Sequence, residues 1–268
     1  MREDKVQVQE FWDEASCGED LYLDADDADG YRVQAERRYL LEPYIPDFAE
    51  FGAVDGCTVL EIGVGMGADH ERFVKSGAKV IGVDLTLRAV RHTRRRLSLA
   101  GLSSCLLGAD AESLCFADES FARVYSWGVL HHSPETPRAI DEVWRVLEPG
   151  GSAHVMIYNK WSLVGLMLWA RYGALRLQPW IGLDRIYSEF LESPGTKAYT
   201  ADGARALFAQ FREVEISTVL THGDLLESQA GQRHEGHFLS LARWLWPRAL
   251  IRRFASGMGL FMLIKARK

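Results

Sequence analysis

The stretch Val59-Leu60-Glu61-Ile62-Gly63-Val64-Gly65-Met66-Gly67-Ala68 constrains the fold more than any other part of the chain, because an apolar run passes straight into three glycines at alternate positions. Such a run predicts a buried strand. The glycines predict a sharp turn whose backbone adopts positive φ and lets a ligand lie against the main chain without meeting a Cβ. Further β-rich runs follow at 78–83, 103–108, 121–127 and 152–158, and the stretches 67–76, 86–100 and 134–147 have helical character. Strands alternating with helices predict a parallel sheet covered on both faces, with the glycine turn at the carboxyl ends of its strands. Leu147-Glu148-Pro149-Gly150-Gly151 punctuates a helix-to-strand loop, and later strand candidates lie at 212–219 and 258–266.

The glycine pattern alone fits two kinds of ligand. Gly63-x-Gly65-x-x-Ala68 also satisfies the dinucleotide fingerprint, and Asp84, 21 residues after Gly63, ends the second strand where either ligand would offer ribose hydroxyls. Two features separate the readings. A pyrophosphate gains nothing from a carboxylate at Glu61, whereas the cationic part of an amino-acid-bearing ligand does. The third strand ends in Gly108-Ala109-Asp110-Ala111-Glu112, which offers an acceptor side chain and backbone amides to adenine.

In this order the pieces resemble the class I S-adenosylmethionine-dependent methyltransferases, especially their small-molecule, type 11-like group, over roughly residues 55–160. The resemblance implies an α/β, Rossmann-like sheet of seven strands, mostly parallel with an antiparallel last strand, for which 258–266 is the candidate. Helical insertions would form a substrate cover. It implies that Glu61, Gly63, Gly65 and Gly67 cradle the methionine part of S-adenosyl-L-methionine. Asp84 would take the ribose with Leu85 beside the adenine, Asp110 and Ala111 would read the base, and Ser126, Trp127 and Gly128 would lie beneath the sulfonium. The implied reaction is in-line transfer to oxygen or nitrogen of a small-molecule acceptor. Just past the fourth strand stands Val129-Leu130-His131-His132-Ser133-Pro134. A histidine there accepts a proton at neutral pH, and the resemblance favours His132 over His131 as general base. Three alternatives stay open: a His132 that only contacts the loop or the acceptor, an NAD(P)-dependent oxidoreductase, and a catalytically silent cofactor-binding partner protein.

Residues 1–50 read as an N-terminal arm and helix, loose over 1–30 and helical over 31–42. Residues 51–160 read as the S-adenosylmethionine-binding core, and 161–268 as the C-terminal part of the same domain, with cover insertions at 161–199 and 220–256 around strands 6 and 7. Trp161, Trp169, Tyr172, Trp180, Tyr187 and Tyr199 crowd the first insertion, where they serve either as core or as acceptor lining. In the second, His234-Glu235-Gly236-His237 lacks the i, i+4 spacing of a helical zinc site and reads as a loop, so no metal is expected. The run 238–254 reads as a basic amphipathic helix, packed on the sheet rather than on anionic lipid. Arg37, Arg38 and Tyr39 are placed to close over a cofactor carboxylate.

Charge narrows the partners. Residues 1–151 hold 16 Lys and Arg against 28 Asp and Glu, and residues 152–268 hold 15 against 9. The acidic total excludes a protein whose main task is gripping a nucleic-acid backbone. Cys17, Cys57, Cys105 and Cys115 are too scattered for a zinc or redox pair and read as reduced, mostly buried thiols. With no apolar leader and no run near the 20 or so residues of a membrane span, the expected compartment is the cytoplasm.

Overall fold

The computed structural model describes residues 3–227 and 246–268. Seven strands form one sheet: β1 (Thr58–Ile62), β2 (Lys79–Asp84), β3 (Cys105–Gly108), β4 (Phe121–Trp127), β5 (Leu147–Tyr158), β6 (Glu213–Val219) and β7 (Phe261–Arg267), in the order β3-β2-β1-β4-β5-β7-β6. β1 to β5 pair in parallel, and β7 runs antiparallel to both β5 and β6. This is the Rossmann-like sheet the glycine turn implies. Central β1 is buried at four of its five positions, as a strand covered on both faces must be, whereas edge strand β6 alternates between exposed and half-buried positions.

Ahead of the sheet come α1 (Glu3–Glu14), α2 (Glu19–Tyr22), α3 (Ala28–Leu41) and α4 (Ile45–Ala49). The crossovers are α5 (Ala68–Lys75), α6 (Leu87–Leu99) and α7 (Thr136–Val146); α8 (Leu163–Tyr172), α9 (Leu183–Phe190) and α10 (Ala201–Leu207) lead into β6, and α11 (Arg248–Phe254) precedes β7. One face of the sheet packs Leu60, Ile62 and Val124 against Ile140, Val143 and Phe208. The other packs Val59, Tyr125 and Met156 against Phe48 and Phe73. Burial of such side chains, at about 1.5–3 kcal/mol each, outweighs any other local contribution to the sheet.

Three expectations are corrected. The arm over residues 1–30 carries α1, α2 and the start of α3 rather than running loose throughout, and α1 buries only Lys5 and Val8, which left no apolar stripe to read. β5 starts at Leu147, so the Pro149-Gly150-Gly151 punctuation is the bulged beginning of a strand and not a separate loop. Cys17, Cys105 and Cys115 are exposed, not buried. The His234–His237 motif and residues 238–245 of the basic run lie outside the described residues. Among the described residues no helix is long and apolar enough to cross a membrane.

Candidate active site

The chain leaves β1 toward β2 and β3 on one side and returns to β4 on the other, so the carboxyl ends of β1 and β4 flank a topological switch point, where open α/β sheets bind ligands. A cavity of about 690 Å³ opens there. Gly63 turns the chain at φ 84°, and a Cβ on it would sit 2.0 Å from Val129 Cγ2; no other residue fits that contact. Gly65, at φ 50°, faces open space, since a Cβ there would meet nothing within 4 Å. The turn thus presents bare main chain to the cavity.

Carboxylates stand on successive strand tips around that turn. Asp84 accepts from the amide and hydroxyl of Thr86 at 2.9 Å each and from the Gly65 amide at 3.3 Å, while burial raises its pKa. Glu61 is buried, with His70 Nδ1 2.7 Å from Oε2, and burial raises its pKa too. Asp110 accepts from Lys5 Nζ at 2.5 Å and from the Glu112 amide at 2.9 Å. Lys5 also pairs with buried Glu112, so α1 is pinned to the tip of β3 by one ammonium between two carboxylates.

Every residue that the glycine-turn resemblance singles out, from Glu61, Gly63, Gly65 and Gly67 through Asp84, Leu85, Asp110 and Ala111 to Trp127 and Gly128, lines this one cavity. Ser126 does not; its hydroxyl donates to the Ile62 carbonyl at 3.0 Å and ties β4 to β1. Of Arg37, Arg38 and Tyr39 only Arg38 reaches the cavity, where it bonds Asp69 at 2.7 Å, while Arg37 turns to Asp24 and the Tyr22 carbonyl.

The two histidines separate. His132 lines the cavity, its Nδ1 is 2.8 Å from Ser193 Oγ and 3.0 Å from Thr196 Oγ1, and its Nε2 is 3.4 Å from Glu192 Oε2. His131 is fully buried behind it, 4.0 Å from the Tyr158 ring, with no hydrogen-bond partner on either nitrogen. Burial and the neighbouring His132 hold its pKa well below the usual value, so it stays neutral. His131, His132 and Glu192 bring ligand-type atoms within 4.8 Å of one another. A tetrahedral metal site with ligands at about 2.1 Å has edges of about 3.4 Å, so that grouping is loose for an ion.

The far wall was not legible. None of Trp161, Trp169, Tyr172, Trp180, Tyr187 and Tyr199 lines the cavity; the segment contributes Val164, Met167, Leu168, Leu191 and Glu192 instead. Trp161 and Trp180 are exposed and Tyr187 is core. Trp12 and Tyr22, from the arm, line it together with Glu42.

The methyltransferase domain family matches residues 59–151. Over this stretch the chain is similar to methyltransferase domains. An uncharacterized protein of Mycobacterium tuberculosis is 33% identical to the chain over 120 residues, 45% of this chain and 44% of that protein. A demethylmenaquinone methyltransferase of Thermobifida fusca is 27% identical over 159 residues, 59% of this chain and 65% of its own. The chain thus spans less than two thirds of the curated relatives it matches. The solved structure of Haemonchus contortus phosphoethanolamine N-methyltransferase 2 in complex with phosphomonomethylethanolamine and S-adenosylhomocysteine superposes at TM-score 0.59 with 16% identity, covering 97% of this chain and 60% of that one, a likeness of fold. The bare Gly65 cradle with carboxylates on the tips of β1, β2 and β3 fits an adenosyl group carrying an amino acid, as in S-adenosyl-L-methionine.

Proposed function

We propose that this chain transfers a methyl group from S-adenosyl-L-methionine to the oxygen or nitrogen of a small-molecule acceptor. One observation carries the reading: a single cavity runs from the glycine turn of β1 to His132 beyond β4, so cofactor and acceptor share one enclosed space. When bound, the cofactor supplies a methyl carbon activated by a positively charged sulfur. Glu61, Gly63, Gly65 and Gly67 hold its amino-acid end, Asp84 takes the ribose with Leu85 beside the base, and Asp110 and Ala111 read the adenine. Trp127 and Gly128 lie beneath the sulfonium. Residues 51–160 are the cofactor-binding part, and the elements before and after them complete the acceptor side. Displacement of this kind asks the protein to align the acceptor and exclude water, which suits a cavity roofed by α1 and α8. His132 would take the acceptor's proton through Nε2, its Nδ1 being held by Ser193 and Thr196.

The test is isothermal calorimetry with S-adenosylhomocysteine and, separately, NAD. Micromolar binding of the first and none of the second is the expected result; the reverse overturns the proposal. Methyl transfer from labelled cofactor to any small acceptor then excludes a silent binding protein.

A further inference from the structure

Beyond the glycine turn, the acceptor side of the cavity combines buried carboxylates with a continuous aromatic wall. Six Asp and Glu residues line the cavity against three Lys and Arg, and the cations are committed: Lys5 to Asp110 and Glu112, Arg38 to Asp69, and Arg171 over the Tyr172 ring at 5.4 Å. Glu42 shares Arg38 with Asp69, the guanidinium Nη1 lying 3.2 Å from its Oε2, and Trp127 donates to the carboxyl, yet Oε2 is itself buried without a hydrogen-bond partner. Glu192 accepts from the Tyr158 hydroxyl at 2.6 Å and lies 3.4 Å from His132 Nε2. Glu42, Glu192 and Tyr158 all line the same cavity. Around them Tyr158 stacks on Phe261 at 5.8 Å, Phe261 meets Trp127 edge-on at 5.7 Å, and Trp12 packs against His132 at 5.3 Å. Farther out the wall is aliphatic, with Met167, Leu168, Leu191 and Leu226.

An anionic head would meet carboxylates here, and a neutral hydroxyl could donate to only one of the two acids and would bring no charge to offset theirs in a low-dielectric site. An ammonium donates to both acids and gains from the ring faces as well. We propose that the acceptor is a protonated amine on an apolar body, its nitrogen seated between Glu42, Glu192 and the Tyr158–Phe261–Trp127 wall. The inference rests on the methyl-transfer reading for its chemistry: one proton leaves the ammonium for His132, the freed nitrogen pair forms the N–C bond, and the S–C bond breaks with its electrons going to sulfur. The seat itself is a matter of binding alone.

Three probes of one shape test it: 4-phenylbutylamine, 4-phenylbutanol and 4-phenylbutyrate, titrated by tryptophan fluorescence with and without saturating S-adenosylhomocysteine. The amine is expected to bind at least tenfold more tightly than the alcohol, with the carboxylate weakest. Glu42→Gln and Glu192→Gln are each expected to lower amine affinity at least fivefold and to leave the alcohol unchanged. Equal affinity for amine and alcohol, preference for the carboxylate, or no amine binding overturns the inference, and the wild-type ranking decides this even if a variant fails to fold. Amine preference without S-adenosylhomocysteine binding would overturn the methyl-transfer reading and leave the seat standing.

Discussion

Glu42 sits in the cavity wall at an energetic cost. Burial outweighs the help of Arg38 and pushes its pKa up to about 7, with Asp69 and Glu192 adding to the rise. The unfolded chain loses this proton near 4.5, so between those values the folded state holds a proton the unfolded state has released. Stability therefore falls as pH rises through that window, by about 3 kcal/mol at most. Glu42→Gln is expected to raise the melting temperature at pH 8 and to change it less at pH 5, read by scanning calorimetry; a lower melting point at pH 8 would show that the Arg38 pairing dominates. His132 makes the complementary prediction for turnover. If it takes the acceptor's proton, His132→Gln and His132→Ala both lose about 100-fold or more in kcat with S-adenosylhomocysteine affinity intact. Near-normal turnover in both removes the base role and leaves His132 as a wall residue held by Ser193 and Thr196.

Among the elements, α1 behaves least as its sequence advertises. It buries only Lys5 and Val8, so no apolar stripe marks it, and what fixes it is a long-range ion cluster with Asp110 and Glu112 that no local pattern reveals. Lys5→Met is expected to leave Glu112 buried without its cation, costing about 3 kcal/mol, and to weaken S-adenosylhomocysteine binding because Asp110 loses its anchor. Unchanged melting and unchanged affinity would show that α1 is held by its aromatic contacts alone. The strands were legible for the opposite reason. β1 and its turn are encoded by contiguous residues, Val59 to Gly67, whose apolar run and glycines have few other uses. The same local logic places Asp84 and Asp110, each closing a short apolar run. It fails at the cover, where Trp161 and Trp180 point to solvent while Val164, Met167 and Leu168 face inward. Residue type said aromatic, but helix phase on α8 decided which side chains met the cavity.

For the molecule as a whole, two buried histidines oppose the buried acids Glu42, Glu61 and Asp84, whose pKa values burial raises. Burial and Arg123 depress His154 to about 4, with its Nδ1–H donated to the Phe48 carbonyl at 2.7 Å, and burial holds His131 well below the usual value. Unfolded histidine takes up a proton near 6.5, so both groups withdraw stability as pH drops below that value, His154 by about 2 kcal/mol by pH 5. Glu42 returns about 2 kcal/mol over the same interval. His154→Gln is therefore expected to lessen whatever melting temperature is lost, or add to whatever is gained, between pH 7 and pH 5, read by scanning calorimetry; an unchanged pH dependence would contradict the burial of that ring. The contact of Gly63 with Val129 has a different reach. Because no methyl group fits between those two turns, the spacing from the cofactor cradle to His132 is a fixed gauge set by the sheet. Retargeting this scaffold to longer or bulkier acceptors is then a matter of remodelling α8 and residues 191–192, with the strand tips left alone.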